Sequence, residues 1–246
     1  KHCMRSSVGR IGGVRIDSSN SANFQHKTNH SIEEIVSPRR EQTGFYSTRG
    51  KRIFDIIFSL CLLPALLPIV TILAFVVSLS GGAPFFKQTR IGRSGRLFSC
   101  YKLRSMVIDA EKQLPNILLE NEMAAAEWSE RQKIERDPRV TVIGRVLRKT
   151  GIDELPQFLN VLRGEMTLVG PRPILPEELE RYGRFAPHYL ALRPGLTGLW
   201  QISDRSVVSY DERVQMDVKY QGNVTFLGDL WIILRTPVSV LFSLER

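Results

Sequence analysis

From Ile53 to Leu79 the chain carries a single charge, Asp55, and no other stretch restricts the fold as strongly. A straight helix of that length runs roughly 40 Å at about 1.5 Å per residue, against a hydrocarbon core about 30 Å thick. A membrane span is within reach, but two features argue against a simple one. Pro64 and Pro68 sit mid-segment, where each removes a backbone donor and bends a helix. Both flanks are also basic. Arg39, Arg40, Arg49, Lys51 and Arg52 precede the segment. Lys87, Arg90, Arg93, Arg96, Lys102 and Arg104 follow it, with no acid between Asp55 and Asp109. A spanning helix has one flank richer in Lys and Arg, on the cytoplasmic side, whereas here both ends read as cytoplasmic. The economical expectation is a helix that enters the bilayer, breaks near Pro64 and leaves by the same face. Ser59, about a turn earlier, is placed to help satisfy the backbone groups freed at the bend. A plain transmembrane anchor and a buried helix of a soluble core are the alternatives.

Charge narrows the partners without choosing one. Lys and Arg number 34 against 25 Asp and Glu, a net charge of +9. That balance suits a phosphorylated substrate, an anionic membrane surface or a nucleic acid. No recognition motif supports the last, so no nucleic-acid partner is expected. Cys3, Cys61 and Cys100 form neither a disulfide framework nor a metal-ligand pattern, which favours a reducing compartment. Residues 1–48 are polar, rich in Ser, Asn and Arg, and read as disordered with no apolar core of a secretory signal.

The remainder divides into a membrane segment, 49–85, and a cytoplasmic catalytic region, 86–246. The fold class is α/β, mostly helical. Phe98 to Met106 reads as a strand, and Asp109 to Arg136 as a helix with a solvated face. Asp137-Pro138-Arg139 closes that helix, because the residue before proline resists helical geometry. Phe226 to Phe242 is apolar but interrupted by Asp229, Arg235 and Pro237, the pattern of an interfacial amphipathic helix. Packing against the soluble core is its alternative.

The residue types that carry chemistry cluster after Lys149. Leu155, Phe158, Leu159 and Leu162 follow amphipathic helical spacing. Pro156 is tolerated only in a first turn, so the helix starts near Asp153 and stops at Gly164. Asp153 and Glu154 therefore stand at a helix N-terminus, a place that also favours a phosphate. Helix capping, worth roughly 0.5–2 kcal/mol, is the plain alternative for the pair. It needs one acceptor only and explains none of the nearby arginines. A carboxylate can instead attack phosphorus, provided a divalent cation or arginines offset the charge repulsion. Arg145, Arg148 and Arg172 are candidates for that task. Arg172 lies in Gly170-Pro171-Arg172-Pro173, where two prolines limit backbone freedom and suit bidentate phosphate recognition. Trp200 is open between base stacking, the lipid interface and the core, and His188 reads as structural.

In order, Lys51-Arg52-Ile53-Phe54-Asp55, Arg90-Ile91-Gly92, Tyr101 to Met106, Asp137 to Thr141, Asp153-Glu154-Leu155-Pro156-Gln157, Gly164-Glu165-Met166, Gly170-Pro171-Arg172-Pro173 and Arg193 to Gln201 make an ensemble. It resembles the bacterial sugar transferase family, in particular its monotopic phosphoglycosyl transferases of the compact type that initiate exopolysaccharide repeat units. The resemblance implies transfer of a phosphosugar from a UDP-sugar, galactose or glucose, to undecaprenyl phosphate at the cytoplasmic face of a bacterial inner membrane. It implies Asp153 as nucleophile on the β-phosphate, with loss of UMP, and Glu154 as the second acid, assisting metal placement or proton handling. Mg²⁺ is the implied cofactor, held by Asp153 and Glu154. Arg172, Lys102 and Arg104 would contact substrate phosphates beside Arg145 and Arg148. A homo-oligomer is left open. The chain departs from the family pattern at Thr150-Gly151-Ile152, at Asp204-Arg205, and at Leu63, where many members have serine before the proline.

Overall fold

The computed structural model describes residues 44–131, 134–203 and 208–244. Most of the polar N-terminal segment, residues 1–43, lies outside the described residues, as does Asp204-Arg205. Helical structure begins with a π-helical turn, Tyr46–Gly50, that leads directly into helix α1, Lys51–Ser78. Helix α1 runs continuously with Pro64 and Pro68 inside it, so the expected break does not interrupt the helix. A proline deletes one donor and bends a helix, and an apolar setting gives the freed carbonyls no better partner than the helix itself. Ser59 does not repair the bend: its Oγ is buried without a hydrogen-bond partner. The stretch Tyr46–Ser78 is the one helix among the described residues long and apolar enough to cross a membrane, and only 6% of its most apolar window is buried.

Both ends of α1 dock on the same globular body. At the N-terminal end Asp55 accepts hydrogen bonds from Thr167 Oγ1 (2.7 Å) and Leu168 N (3.0 Å). Arg52 donates to the carbonyls of Val161 and Leu162. Towards the C-terminal end, Val77 is buried in a cluster with Leu103 and Leu147, and Arg104 donates to the Val77 carbonyl (3.1 Å).

Strands β1 (Phe85–Ile91) and β2 (Leu97–Leu103) form an antiparallel hairpin with Phe85 opposite Leu103 and Ile91 opposite Leu97. Phe98 and Cys100 alternate inward, as expected for a half-buried strand. The single helix expected over 109–136 is two, α2 (Ala110–Glu120) and α3 (Glu122–Arg131). Asn121 separates them by accepting a bond from Ala124 N through its side chain, a cap that starts a new helix. Helix α4 (Val142–Thr150) is capped by Thr141 and ends at the left-handed Gly151. A 3₁₀ turn, Ile152–Gln157, then feeds helix α5, Phe158–Arg163, which stops at the left-handed Gly164 as expected. Its buried face is Phe158 and Val161, with Leu155 against the core, whereas Leu159 is exposed.

Strand β3 (Thr167–Val169) pairs in parallel with β4 (Gly195–Thr197). Between them lie a 3₁₀ segment, Pro176–Phe185, and helix α6, Ala186–Leu190. A Cβ on Gly195 would stand 2.1 Å from Gly170 N, so the two glycine-bearing motifs interlock only without side chains there. Helix α7 (Tyr210–Gly222) opens with a Ser209/Glu212 capping box, and α8 (Phe226–Leu244) closes the described chain. Asp229 of α8 is buried and accepts from Tyr46 Oη (2.7 Å), Tyr220 Oη (2.7 Å) and Lys51 Nζ. Leu227, Trp231, Leu234 and Val238 are exposed on α8, while Ile232 is buried in the main core. Phe54, Phe58, Leu62 and Leu66 of α1 pack against that core, which is built on Phe98, Cys100, Phe158, Val161 and Met166.

Candidate active site

The dyad sits in the first turn of the 3₁₀ segment ahead of α5. The N-cap positions of the turn and of α5 are Gly151 and Gln157, and neither provides a side-chain cap. Neither acid occupies an N-cap position, although both lie in the first turn of the 3₁₀ segment, where a dipole contact is still available to them. Asp153 is only 7% exposed. Burial raises its pKa to about 6; Lys102 works against that rise, Glu154 adds to it, and Arg148 lowers it. A carboxylate in this state is ionised for the most part at neutral pH yet poorly solvated, which suits a nucleophile.

Strand β2 brings the first cation. Lys102 Nζ lies 2.6 Å from Glu154 Oε1. What fixes that meeting is Asn160, fully buried on α5. Its Oδ1 accepts from Tyr101 N (3.1 Å), and its Nδ2 donates to Ser99 O (2.7 Å) and to Glu165 Oε2 (2.6 Å). The side chain thus bonds the edge of β2 turned away from β1, as a neighbouring strand would. Asn160 escaped sequence reasoning. Its signal was a polar residue between Leu159 and Val161 in an otherwise apolar helix.

The second cation comes from α4. Arg148 donates through Nε to Ser105 Oγ (2.7 Å) and acts on Asp153 through its charge. Helix α4 lies close enough for this because Gly144 has no side chain: a Cβ there would be 1.8 Å from Ser105 O. Thr141 N also donates to that carbonyl (3.1 Å).

Arg172 approaches from the turn after β3. Its guanidinium lies 5.3 Å from the Trp200 ring, and that of Arg213 lies 5.0 Å from the same ring. Buried Cys100 records how these groups converge. Burial raises its pKa, against which Lys102, Arg90 and Arg172 act, while Glu154 adds to the rise. Arg172 thus acts on Cys100 together with Lys102 and Glu154, whereas the side-chain charges that act on Asp153 are those of Lys102, Glu154 and Arg148. Two other expected residues are placed differently. Arg104 commits its Nη2 to the Val77 carbonyl and Ser80 Oγ at the end of α1. Arg145 is exposed on α4, and its side chain makes no hydrogen bond or ion pair with a described residue. His188 pairs with Gln221 Oε1 (3.1 Å), in keeping with a structural role.

No group of three or more His, Cys, Asp or Glu side chains among the described residues could by itself enclose a metal. The donor set nevertheless suits Mg²⁺. That ion is commonly held by one or two carboxylates and completed by substrate phosphate oxygens and water. Asp153 and Glu154, adjacent in the chain, offer hard oxygens.

Comparison with known proteins places the chain in a family. Residues 46–243 match the family described as bacterial sugar transferase. A UDP-galactose-lipid carrier transferase of Erwinia amylovora is 48% identical over 191 residues, 78% of this chain and 40% of that relative. An undecaprenyl-phosphate galactose phosphotransferase of Salmonella typhimurium is 46% identical over 191 residues, again 78% of this chain and 40% of the relative. The exopolysaccharide production protein ExoY of Sinorhizobium fredii is 46% identical over 207 residues, 82% of this chain and 92% of the relative. The chain thus spans about two fifths of the first two relatives and nearly all of the third. With the match running from the first turn before α1 almost to the end of α8, the chain belongs to the bacterial sugar transferase family.

Proposed function

We propose that this protein transfers a phosphosugar from a UDP-hexose to undecaprenyl phosphate, as a membrane step of exopolysaccharide synthesis. The observation that carries the reading is Asp153: a buried acid, not at an N-cap position, on which the charges of Lys102 and Arg148 act. In the first step an Asp153 carboxylate oxygen attacks the β-phosphorus of the donor. The new O–P bond forms as the bond to UMP breaks, and UMP carries away the electron pair. In the second step an oxygen of the lipid phosphate attacks the same phosphorus, restoring the carboxylate and giving a lipid diphosphosugar. Lys102 and Arg148 offset the negative charge gathered around phosphorus, and Arg172 orients a phosphate oxygen. Lys102 also holds Glu154 beside the nucleophile. Mg²⁺, bound by Asp153, Glu154 and the donor diphosphate, would supply further charge neutralisation. Galactose is the first sugar to test, because two relatives carry it in their names.

The docking of both ends of α1 on one body supports placing both ends of the helix and the catalytic region on a single side of the membrane, the cytoplasmic one by its basic flanks. A helix perpendicular to the membrane would carry its far end away from the body that holds its near end. The exposed apolar residues of α1 and α8 supply the surface to be buried in lipid.

The test is to incubate the protein with labelled UDP-galactose and no lipid acceptor, then locate the label by mass spectrometry. A phosphosugar on Asp153 with UMP release is expected. Release of UDP, or a label on another residue, removes the proposal. Asp153→Asn should remain folded and membrane-bound while turnover falls by at least about a thousandfold.

A further inference from the structure

The turn that carries Arg172 is anchored on both sides by hydrogen bonds to the neighbouring strands. Ahead of Arg172, Gly170 N donates to Thr197 O (2.8 Å) and Pro171 O accepts from Gly195 N (2.7 Å). After it, Ile174 O accepts from Ile91 N (3.1 Å), while Tyr189 Oη accepts from Ile174 N (3.2 Å) and donates to Ile91 O (2.8 Å). Between these anchors a side chain takes over: the Pro173 carbonyl accepts from Arg90 Nη1 (3.0 Å). Proline has no N–H to add a second tie. The half-buried Arg172 side chain makes no hydrogen bond or ion pair with a described residue and lies beside the Trp200 ring. Its direction is therefore set by the backbone beneath it and by that ring.

Arg90 counts in the sequence as one of the basic residues after the apolar segment, yet on β1 it is buried, opposite Phe98. A guanidinium withdrawn from water is costly unless paired and hydrogen-bonded. Arg90 Nη2 donates to Gln88 Oε1 (2.6 Å), and Nη1 also lies 3.5 Å from Glu178 Oε2. Glu178 stands in the first turn of the 3₁₀ segment Pro176–Phe185. Its Oε2 accepts from Leu175 N (2.7 Å), and its Oε1 lies 4.0 Å from Arg213 Nη1. Glu178 thus reaches Arg172 by two routes. One runs through Arg90 to the Pro173 carbonyl, the other through Arg213 to the Trp200 ring that both Arg172 and Arg213 approach. Charge follows the same lines: burial lowers the pKa of Arg90, Arg172 lowers it further, and Glu178 opposes. Like charges gather here around one carboxylate that offsets them.

We infer that Arg90 and Glu178 are positioning residues for Arg172: they set the direction in which its guanidinium meets the donor phosphate, without touching substrate themselves. The inference rests on the phosphate-orienting role of Arg172 proposed above. A planar fork of donors recognises two phosphate oxygens only when correctly aimed, and a misplacement of about 1 Å can cost a hundredfold in rate. A brace that serves stability alone would change the amount of folded protein and leave the kinetics of the folded fraction as they are.

The test is a double-substitution cycle on the full chain, read as kcat/KM for the UDP-sugar from UMP release and normalised to folded protein. Arg172→Gln should lower kcat/KM by at least about thirtyfold. Arg90→Gln and Glu178→Gln should each lower it by at least about tenfold, but by less than about twofold in the Arg172→Gln background, because their effect passes through Arg172. Glu178→Gln keeps an oxygen for Leu175 N, so it carries the test if Arg90→Gln fails to fold. Where turnover of the Arg172 variant is too slow to measure, the same cycle is read from the Kd of UDP. Arg96→Gln, which removes an exposed charge just before β2, should stay within about twofold of the parent and so rules out a general field effect. Equal losses in both backgrounds, or parental kcat/KM in the folded Arg90 and Glu178 variants, would overturn the inference alone and leave the brace a structural one. Parental kcat/KM in Arg172→Gln would remove the role of Arg172 and the inference together, while the Asp153 adduct would stand. Release of UDP by the parent chain would overturn both the proposed reaction and the inference.

Discussion

Asn160 shows how one side chain sets the geometry of a site it does not line. By bonding Tyr101 N and Ser99 O it fixes α5 against β2, and so fixes Glu154 against Lys102. Asn160→Leu keeps the volume but leaves those buried backbone groups unpaired, at a cost of about 1–3 kcal/mol each. The expected outcome is a clear drop in melting temperature with a larger fall in turnover than in donor affinity. Unchanged turnover in a destabilised variant would deny Asn160 its positioning role. Asp217 gives a pH prediction. Burial raises its pKa from 3.8 to about 6, opposed by the Tyr182 hydrogen bond and by Arg213. Between those values the folded chain holds a proton that the unfolded chain has lost. Stability is therefore greatest below the unfolded value and declines as pH rises through about 6. Asp217→Asn retains an acceptor for Tyr182. It should flatten the decline of melting temperature between pH 4 and 7, an effect of at most about 2–3 kcal/mol. An unaltered profile would mean that Asp217 titrates as it does in the unfolded chain.

Among the elements, α1 and α4 depend most on single contacts. Helix α1 is apolar along its length, yet its register on the body is set by Asp55 against β3 and Lys51 against Asp229. Asp55→Ala strands Thr167 Oγ1 and Leu168 N, and should destabilise the protein by about 2–4 kcal/mol, read as early proteolysis on heating in detergent. Helix α4 depends on Gly144. A methyl group there collides with the Ser105 backbone, so Gly144→Ala must push the helix away at a cost of about 1–3 kcal/mol or more. Arg148 then loses its grip on Ser105, and turnover should fall by more than the loss of folded protein explains. Normal specific activity of the remaining folded fraction would show that Arg148 is not needed. Pro64 and Pro68 were legible as benders of α1. Their effect is smaller than a break because the flanking hydrogen bonds survive.

At the scale of the whole molecule, docking of both ends of α1 leads to a topology prediction. Reporter tags at residue 48 and residue 90 should be accessible from the same side of the membrane, and labelling from opposite sides would reject the re-entrant arrangement. Much of the plan was readable from residue order. The apolar segment, strand β2, the stop at Gly164 and the dyad with its basic neighbours all rest on local rules: periodicity, proline geometry, glycine at helix ends and charge spacing. Those rules act over a few residues, so a linear reading captures them. Partners far apart in the chain followed different logic. Asp55 with Thr167, Lys51 with Asp229, Asn160 with β2 and Arg104 with Val77 join segments separated by 27 to 178 positions. Each depends on which faces happen to be buried together. Arg104 and Arg145 illustrate the difference, since both had the right charge and a plausible position. Packing turned one towards the end of α1 and left the other in the open. Residue types and their spacing marked the acids and arginines as candidates for phosphate chemistry. Burial, which desolvates Asp153 and selects the cations that reach it, was settled only when distant segments closed around it.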